Sequence, residues 1–179
     1  MGASLRKTVV MVGMMGAGKT AVGTELARML GVPFLDSDAE IERAANCTVS
    51  EIFARDGEAF FRRKEAQVIA RLLSGRPGVL SVGGGAYLNP ATRALIRDQG
   101  VAVWLKADLD LLWNRVKRKD TRPLLRTPDP YRTLSELMAA REPAYSQADV
   151  IVQAVPDASI EATAAAVRKA LATRPDVLA

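Results

Sequence analysis

Histidine is absent from this chain of 179 residues, and cysteine occurs once, as Cys47. Without histidine the chain has no imidazole for acid–base catalysis, no serine–histidine nucleophile and few ways to hold zinc. A lone cysteine cannot close an internal disulfide, so the chain is compatible with a reducing compartment, and we interpret Cys47 as a small, partly buried apolar residue. Any chemistry must therefore rest on carboxylates, lysine, arginine and backbone groups.

Long apolar runs are also missing from the sequence. The apolar run of residues 9–12 ends at Gly13, whereas a helix that spans a bilayer needs about 20 apolar residues. We interpret this run as the first core strand rather than as part of a signal peptide, because a phosphate-binding motif follows it directly. We therefore expect a cytoplasmic protein without a membrane partner.

Clustered charge of one sign is the third feature that the sequence lacks. The chain has 25 Lys and Arg against 20 Asp and Glu, a net charge of +5, but the basic residues are scattered and no aromatic-and-basic motif accompanies them. We expect no nucleic-acid partner, since small anionic substrates suit this charge equally well. The length allows a substantial core but not a second full domain. We therefore expect one domain over residues 1–179. We also expect a monomer, because nothing in the sequence demands an oligomer.

Short apolar runs alternate with helical patterns along the chain. Buried strands are predicted at Thr8–Val12, Val32–Leu35, Val79–Val82, Val101–Leu105 and Val150–Val152. Helices are predicted at Lys19–Leu30, Glu58–Leu73, Pro90–Asp98, Asp108–Val116 and Ser159–Leu171. This alternation indicates a parallel sheet with helices on both faces. Residues 38–63 and 117–129 do not fit simple crossovers and are typical of binding flaps or lids.

The most specific motif is residues 13–20, Gly-Met-Met-Gly-Ala-Gly-Lys-Thr, which fits G-x-x-x-x-G-K-[ST] between a predicted strand and a predicted helix. Its glycines let backbone N–H groups surround phosphate oxygens at the positive end of the helix. Lys19 is expected to reach the β and γ phosphates of ATP. The alternative is a glycine-rich turn with an incidental lysine. The predicted ATP-binding residues here are Gly13, Gly16, Ala17, Gly18, Lys19, Thr20 and Ala21.

The Thr20 hydroxyl is expected to coordinate Mg²⁺ together with an acidic residue, because many P-loop ATPases place such a residue at the end of a second apolar strand. The apolar run of residues 79–82 ends in Gly83, whereas the run of residues 32–35 ends in Asp36. We therefore predict Thr20 and Asp36 as the metal site, with Asp36 acting through water, since Mg²⁺ keeps part of its hydration shell. The sequence has no Asn-Lys-x-Asp guanine motif, which disfavours a GTPase.

Four further motifs accompany the phosphate loop. They are Phe-Leu-Asp-Ser-Asp at residues 34–38, Gly-Glu-Ala-Phe-Phe-Arg-Arg-Lys-Glu at 57–65, Gly-Gly-Gly-Ala at 83–86, and Arg-Pro-Leu-Leu at 122–125 with Arg-Glu-Pro-Ala-Tyr at 141–145. The chain resembles shikimate kinases in these motifs, which occur in the family's order and approximate spacing. Together with the phosphate loop they cover roughly residues 8–152.

The resemblance implies an α/β fold of the P-loop, nucleoside-monophosphate-kinase-like class. This fold has three layers and a five-stranded parallel sheet, with a substrate-binding flap at about residues 37–63 and a lid at about residues 117–129. The resemblance also implies transfer of the γ-phosphoryl group of MgATP to the 3-hydroxyl of shikimate, giving shikimate 3-phosphate and ADP in the route to chorismate and the aromatic amino acids. Two alternatives are a gluconate-type or other small-metabolite kinase, and a regulatory module that binds shikimate or ATP without catalysis.

Three charged residues are predicted to bind the acceptor. Arg62 and Arg141 suit bidentate hydrogen bonds to a carboxylate, although either alone is more simply a surface ion pair. Asp38 matches the family's substrate-binding aspartate, which orients the hydroxyls and is positioned to take the proton of the attacking one. The alternative for Asp38 is a helix N-cap.

The remaining predicted site residues lie in loops and on helices. Gly83, Gly84 and Gly85 are expected to bring backbone N–H groups against the acceptor, rather than to form only a flexible turn. Glu65 is expected to hold the Arg62 guanidinium.

Two arginines complete the site that the resemblance implies. Arg122 matches the family's lid arginine, which closes over the triphosphate. Arg115 corresponds to an arginine that stacks near adenine in similar enzymes. The other basic residues of this segment, Arg126 among them, are interpreted as solvated loop charges. Similar enzymes often carry an arginine near the nucleotide base, in the loop after the last strand. This chain departs from that pattern, since residues 153–158 contain no arginine.

Overall fold

The computed structural model describes residues 4–117 and 125–179 and contains five strands: β1 (Thr8–Val12), β2 (Phe34–Asp36), β3 (Val79–Ser81), β4 (Gly100–Lys106) and β5 (Val150–Gln153). The helices are α1 (Lys19–Leu30), α2 (Ser37–Ala45), α3 (Val49–Asp56), α4 (Glu58–Leu73), α5 (Pro90–Gln99), α6 (Leu109–Val116), α7 (Pro130–Tyr145) and α8 (Ile160–Leu171). A short 3₁₀ turn spans Ala86–Leu88.

All five strands pair in parallel, in the order β2-β3-β1-β4-β5. Strand β1 lies at the centre and is buried along its whole length, as expected for a parallel strand covered on both faces. The predicted five-stranded parallel α/β fold is therefore confirmed. Because carboxyl ends of parallel strands share one edge, the loops after β1 and β3 meet there with the start of α2, which follows β2 directly.

Several predicted boundaries agree with the structure. Strand β1 and helices α1 and α4 have the predicted bounds, and the other predicted strands and helices shift by one or two residues at their ends. Gly31 ends α1 in the left-handed conformation, with φ of 65°, and its N–H donates to the carbonyls of Ala27 and Arg28. This is the C-cap geometry that favours glycine.

Helix α7 was not predicted, although it is 16 residues long. Its buried residues include the charged Arg141, and Pro143 lies inside its last turn, so neither an apolar stripe nor the absence of proline reveals a helix here. The signal that could have revealed it is at its start. Asp129 caps the helix by accepting from the N–H of Arg132 at 3.2 Å, and Pro130 occupies the first turn, the favoured position for proline.

Apolar side chains form two separate clusters. The larger surrounds the sheet and includes β1, Leu26 of α1 and Leu134 of α7. The smaller comprises Ile41, Ile52 and Phe61, from α2, α3 and α4. The predicted flap thus has an apolar cluster of its own. Among the described residues, no helix combines the length and the apolar character needed to cross a membrane.

We expect Leu134→Ala to lower the free energy of unfolding by about 2–5 kcal/mol, because this side chain is fully buried and its loss leaves a cavity. The matched change Leu35→Ala, at a position 37% exposed, should cost about 1 kcal/mol or less. Denaturant titrations followed by circular dichroism compare the two variants. Equal losses would contradict the docking of α7 through Leu134.

Candidate active site

The phosphate loop connects β1 to α1 in a conformation that requires its glycines. Gly16 has φ of 83°, and a Cβ there would lie 2.8 Å from Cγ1 of Val116. Gly18 precedes α1 with φ of 96° and gives the helix no side-chain cap. The first N–H groups of α1 therefore have no side-chain partner from the capping position, which is the arrangement that binds anions at helix N-termini.

Lys19 lies against the loop that precedes it. Its Nζ donates to the Gly13 carbonyl at 2.6 Å and to the Met14 carbonyl at 3.4 Å. Gly13 is behind the loop rather than on the cleft wall, since a Cβ there would lie 2.9 Å from the Leu105 carbonyl of β4. The ammonium group is thus held at the loop, next to the helix end that attracts anions.

Two residues of helix α6 contact the phosphate loop. Nη1 of Arg115 donates to the Gly16 carbonyl at 2.9 Å, and Val116 packs against Gly16. The arginine predicted to lie near adenine therefore contacts the phosphate loop itself.

Thr20 and Asp36 both line the cleft at the carboxyl edge of the sheet. Asp36 ends β2 and caps α2, since its Oδ1 accepts from the N–H of Ala39 at 3.2 Å. Its other carboxylate oxygen makes no hydrogen bond to a described residue, so it is available to a metal-bound water. A hydroxyl and one such carboxylate fit Mg²⁺, which completes its shell with phosphate oxygens and water.

Asp38 is not the N-cap of α2, so that alternative is wrong: Asp36 occupies the cap, because β2 continues directly into the helix. Asp38 lies in the first turn, with Oδ1 enclosed and without a hydrogen-bond partner among the described residues. Burial raises the pKa of the Asp38 carboxyl, and repulsion from Asp36 adds to the shift, while Lys19 opposes it. The carboxylate is thus aimed at a donor that the described residues do not supply.

Glu65 and Arg62 form an ion pair on α4. Nη1 of Arg62 donates to Oε1 of Glu65 at 2.8 Å, as predicted, while Oε2 of Glu65 is buried without a partner among the described residues. Burial raises the pKa of the Glu65 carboxyl, and Arg62 partly offsets that rise. The Arg62 guanidinium also lies 5.2 Å from the ring centroid of Phe61, which leaves it held on two sides.

Arg141 is only 5% exposed, on the buried face of α7. Among the described residues it forms no ion pair, although its charge acts on the Glu65 carboxylate and lowers the pKa of that group. Tyr145, one turn further on, donates its hydroxyl to the Gly84 carbonyl, and the charge of Arg141 acts on the pKa of that hydroxyl. A buried guanidinium without an ion-pair partner is costly, which favours an anionic ligand at Arg141.

The glycine triplet after β3 is where these charged groups converge. A Cβ on Gly83 would lie 3.2 Å from Oδ1 of Asp38 and 3.3 Å from Oε2 of Glu65. A Cβ on Gly84 would lie 2.6 Å from Nη1 of Arg141, and one on Gly85 2.7 Å from Cζ of Arg62. The triplet is therefore more than a flexible turn, because any side chain there would displace a charged group.

One open cleft of about 1420 Å³ joins the phosphate loop to this cluster. The sequence-predicted residues on its wall are Gly16, Ala17, Gly18, Lys19, Thr20, Ala21, Asp36, Asp38, Arg62, Glu65, Gly83, Gly84, Gly85, Arg115 and Arg141. Arg122 and most of the predicted lid lie outside the described residues.

Sequence reasoning missed several residues of the cleft wall. Phe53 and Phe61 face it from the flap, and Ile160 and Thr163 from α8. Arg126, interpreted from sequence as a solvated loop charge, also lines the cleft. Phe61 belongs to the 57–65 motif and Phe53 precedes it by four residues, so that motif is a signal for the flap, whereas nothing local marks Ile160 as a wall residue.

A P-loop at the end of the central strand, in a parallel sheet of order 2-3-1-4-5, defines a P-loop kinase of the nucleoside-monophosphate-kinase-like class. The family model for shikimate kinase matches residues 15–172. The shikimate kinase of Cereibacter sphaeroides is 67% identical over 176 residues, which is 98% of this chain and 88% of the relative. The chain therefore belongs to the shikimate kinase family.

Solved structures agree with the family. The shikimate kinase from Acinetobacter baumannii in complex with shikimate has a TM-score of 0.90 and 35% identity, with 94% of each chain covered. A gluconokinase from Sinorhizobium meliloti 1021 has a TM-score of 0.58 and 21% identity, over 95% of this chain and 97% of that one. The second likeness shows the fold alone.

We expect Asp38→Asn to stabilise the ligand-free protein at about pH 8. The folded-state pKa of Asp38 is raised, so its ionised form opposes folding above that pKa, and the opposition vanishes as the pH falls below the ordinary value. Thermal unfolding without metal or nucleotide should show a higher midpoint for the variant near pH 8 and a shrinking difference toward about pH 4.

The exposed change Asp98→Asn is the matched control for this comparison. It should leave the midpoint nearly unchanged at either pH. A variant at Asp38 that is equally or less stable near pH 8 would contradict the raised pKa.

Proposed function

We propose that this chain phosphorylates the 3-hydroxyl of shikimate with the γ-phosphoryl group of MgATP, giving shikimate 3-phosphate and ADP. The observation that carries the proposal is the charged cluster beside the phosphate loop. Arg141 is buried and forms no ion pair with a described residue, and Asp38 and Glu65 each have an oxygen without a donor. A small polyol that carries a carboxylate supplies both kinds of group.

The carboxylate is proposed to lie between Arg62 and Arg141. Their guanidinium groups approach neighbouring glycines, since the contact of Arg62 is at Gly85 and that of Arg141 at Gly84. Two guanidinium groups at one place suit a planar, bidentate anion. The ion pair with Glu65 holds Arg62 in place, and burial on α7 restricts Arg141, so the two guanidinium groups are preorganised for the ligand.

Asp38 is proposed to bind and orient the attacking hydroxyl. Its enclosed Oδ1 has no donor among the described residues, and a substrate hydroxyl would supply one. The charges of Lys19, on the phosphate loop, and of Arg62, on the acceptor side, both act on the Asp38 carboxylate and oppose the rise of its pKa. A carboxylate with a raised pKa in this position is suited to accept the hydroxyl proton as the bond to phosphorus forms.

The triphosphate of ATP is proposed to lie along the loop from Gly16 to Thr20. Backbone N–H groups of the loop and α1 bind the phosphate oxygens, and Lys19 neutralises charge that builds up on the transferring group. Thr20 and Asp36 are proposed to hold Mg²⁺. The bound metal would neutralise negative charge on the phosphates. The proposed lid arginine, Arg122, lies outside the described residues.

The cellular setting is proposed from the same assignment. We expect a single-domain monomer, acting in the cytoplasm in the route to chorismate and the aromatic amino acids. Residues 37–63 are proposed as the flap that covers the acceptor, because α2 and α3 pack on α4 around their own apolar cluster. No nucleic-acid or membrane partner is needed for this activity.

Shikimate-dependent release of ADP tests the proposal directly. We expect turnover with shikimate and MgATP, and none with gluconate or without acceptor. Asp38→Asn should lower kcat by about 10²–10⁴-fold, since it removes the proton acceptor, whereas Asp98→Asn should behave like the unmodified protein.

Binding and turnover separate the alternatives. Shikimate binding without ADP release would identify a regulatory module, and turnover with gluconate in place of shikimate a different kinase. Either result overturns the proposal.

A further inference from the structure

The sheet order sets the direction in which the donor nucleotide lies. The phosphate loop follows β1, the acceptor groups follow β2 and β3 on one side of it, and the loop of residues 154–158 follows β5 on the other. If the γ-phosphoryl group faces the acceptor, as in the proposed function on which this inference rests, the nucleoside extends toward β5. The base therefore meets the start of α8.

Three apolar residues form part of the wall at this end. Ala154, Ala158 and Ile160 line the cleft here. The Ile160 side chain is 47% exposed, although large apolar side chains are usually buried. A flat aromatic base that lies on Ile160 would cover this surface and be stabilised by the burial.

The polar side chains on this part of the wall do not distinguish one purine from another. Ser159 and Thr163 carry hydroxyls, and a hydroxyl can accept from a 6-amino group or donate to a 6-oxo group. Arg115 and Arg126 only donate, so neither can recognise a 6-amino group, which is itself a donor. None of the described residues on this part of the wall carries a carboxylate or a carboxamide.

Four backbone groups of the loop after β5 make hydrogen bonds within the protein. The N–H of Ala154 donates to the Lys106 carbonyl at 2.7 Å, and the N–H of Ala158 donates to the Val155 carbonyl at 3.1 Å. The Ala154 carbonyl accepts from Nε2 of Gln153 at 3.4 Å. The loop thus uses these groups for its own shape rather than presenting them to a base.

We infer that the enzyme recognises its donor through the triphosphate and an apolar contact with the base, and therefore also uses GTP and ITP to phosphorylate shikimate. In each case the bond from the γ-phosphorus to the bridging oxygen of the β-phosphate breaks. The 3-oxygen of shikimate forms a new bond to that phosphorus, its proton passes by way of Asp38 to solvent, and GDP or IDP leaves.

The expected size of the effect follows from the kind of contact. An apolar surface discriminates between similar ligands by about 100-fold at most, whereas a site built to hydrogen-bond one group rejects its analogue by about 10⁴–10⁵-fold. ITP differs from ATP in carrying a 6-oxo group in place of the 6-amino group, so it isolates recognition at that position.

Initial rates with saturating shikimate, followed by chromatography of shikimate 3-phosphate, give kcat/KM for ATP, ITP and GTP. We expect values within about 100-fold of one another. A preference for ATP above about 100-fold would overturn the inference while leaving the proposed function intact. Absence of turnover with ATP would instead be a failure of the proposed function.

Two isoleucine variants locate the apolar contact. Ile160→Ala should raise KM for ATP, ITP and GTP by a similar factor of about 3 to 10, while KM for shikimate stays unchanged. The matched control is Ile151→Ala on β5, where the side chain is 51% exposed but does not line the cleft, and it should leave all three values unchanged. Unchanged donor KM in Ile160→Ala, or a change confined to ATP, would contradict the contact.

Discussion

The close approach of charged side chains to the backbone at the end of β3 is the constraint on which the site depends. Gly83, Gly84 and Gly85 have no Cβ, and this lets carboxylates and guanidinium groups from α2, α4 and α7 reach one small volume. Each helix is anchored elsewhere by apolar packing, either in the core around the sheet or in the flap cluster. The charged groups therefore lie at the carboxyl edge of the sheet, next to the phosphate loop.

The buried charged groups of this cluster lower the stability of the ligand-free protein, and a bound ligand offsets that loss. Arg141 is buried without an ion pair to a described residue, and burial raises the pKa values of Asp38 and Glu65. Buried charge that lacks a partner opposes folding, while a ligand that binds only the folded state adds stability. The same groups that weaken the empty protein therefore bind the acceptor, which is the usual trade between stability and function at preorganised sites.

Sequence patterns predicted most of the fold and the phosphate loop of the cleft, because both depend on local signals, and the family resemblance pointed to the charged residues of the acceptor side. The motif of residues 13–20 lies on a strand–loop–helix unit that needs no distant information, and α1 and β1 have the predicted bounds. Two features depend on tertiary contacts instead. Helix α7 buries Arg141 among core residues, which hides its apolar period, and the cap of α2 passes to Asp36 because β2 joins the helix without a loop. The place of Ile160 on the cleft wall depends on how α8 packs against α1.

Calorimetric titration of shikimate into Gly85→Ala tests the central claim most directly. A Cβ on Gly85 would displace the tip of the Arg62 side chain, a flexible group that can move aside, so the variant should fold normally and bind shikimate at least about tenfold more weakly, the loss of one charge-assisted contact. Gly75→Ala is the matched control, because a Cβ there would meet only the Leu72 carbonyl at 3.5 Å, and its affinity should be unchanged. Unaltered affinity in Gly85→Ala would contradict the claim that the triplet exists to let the charged groups approach.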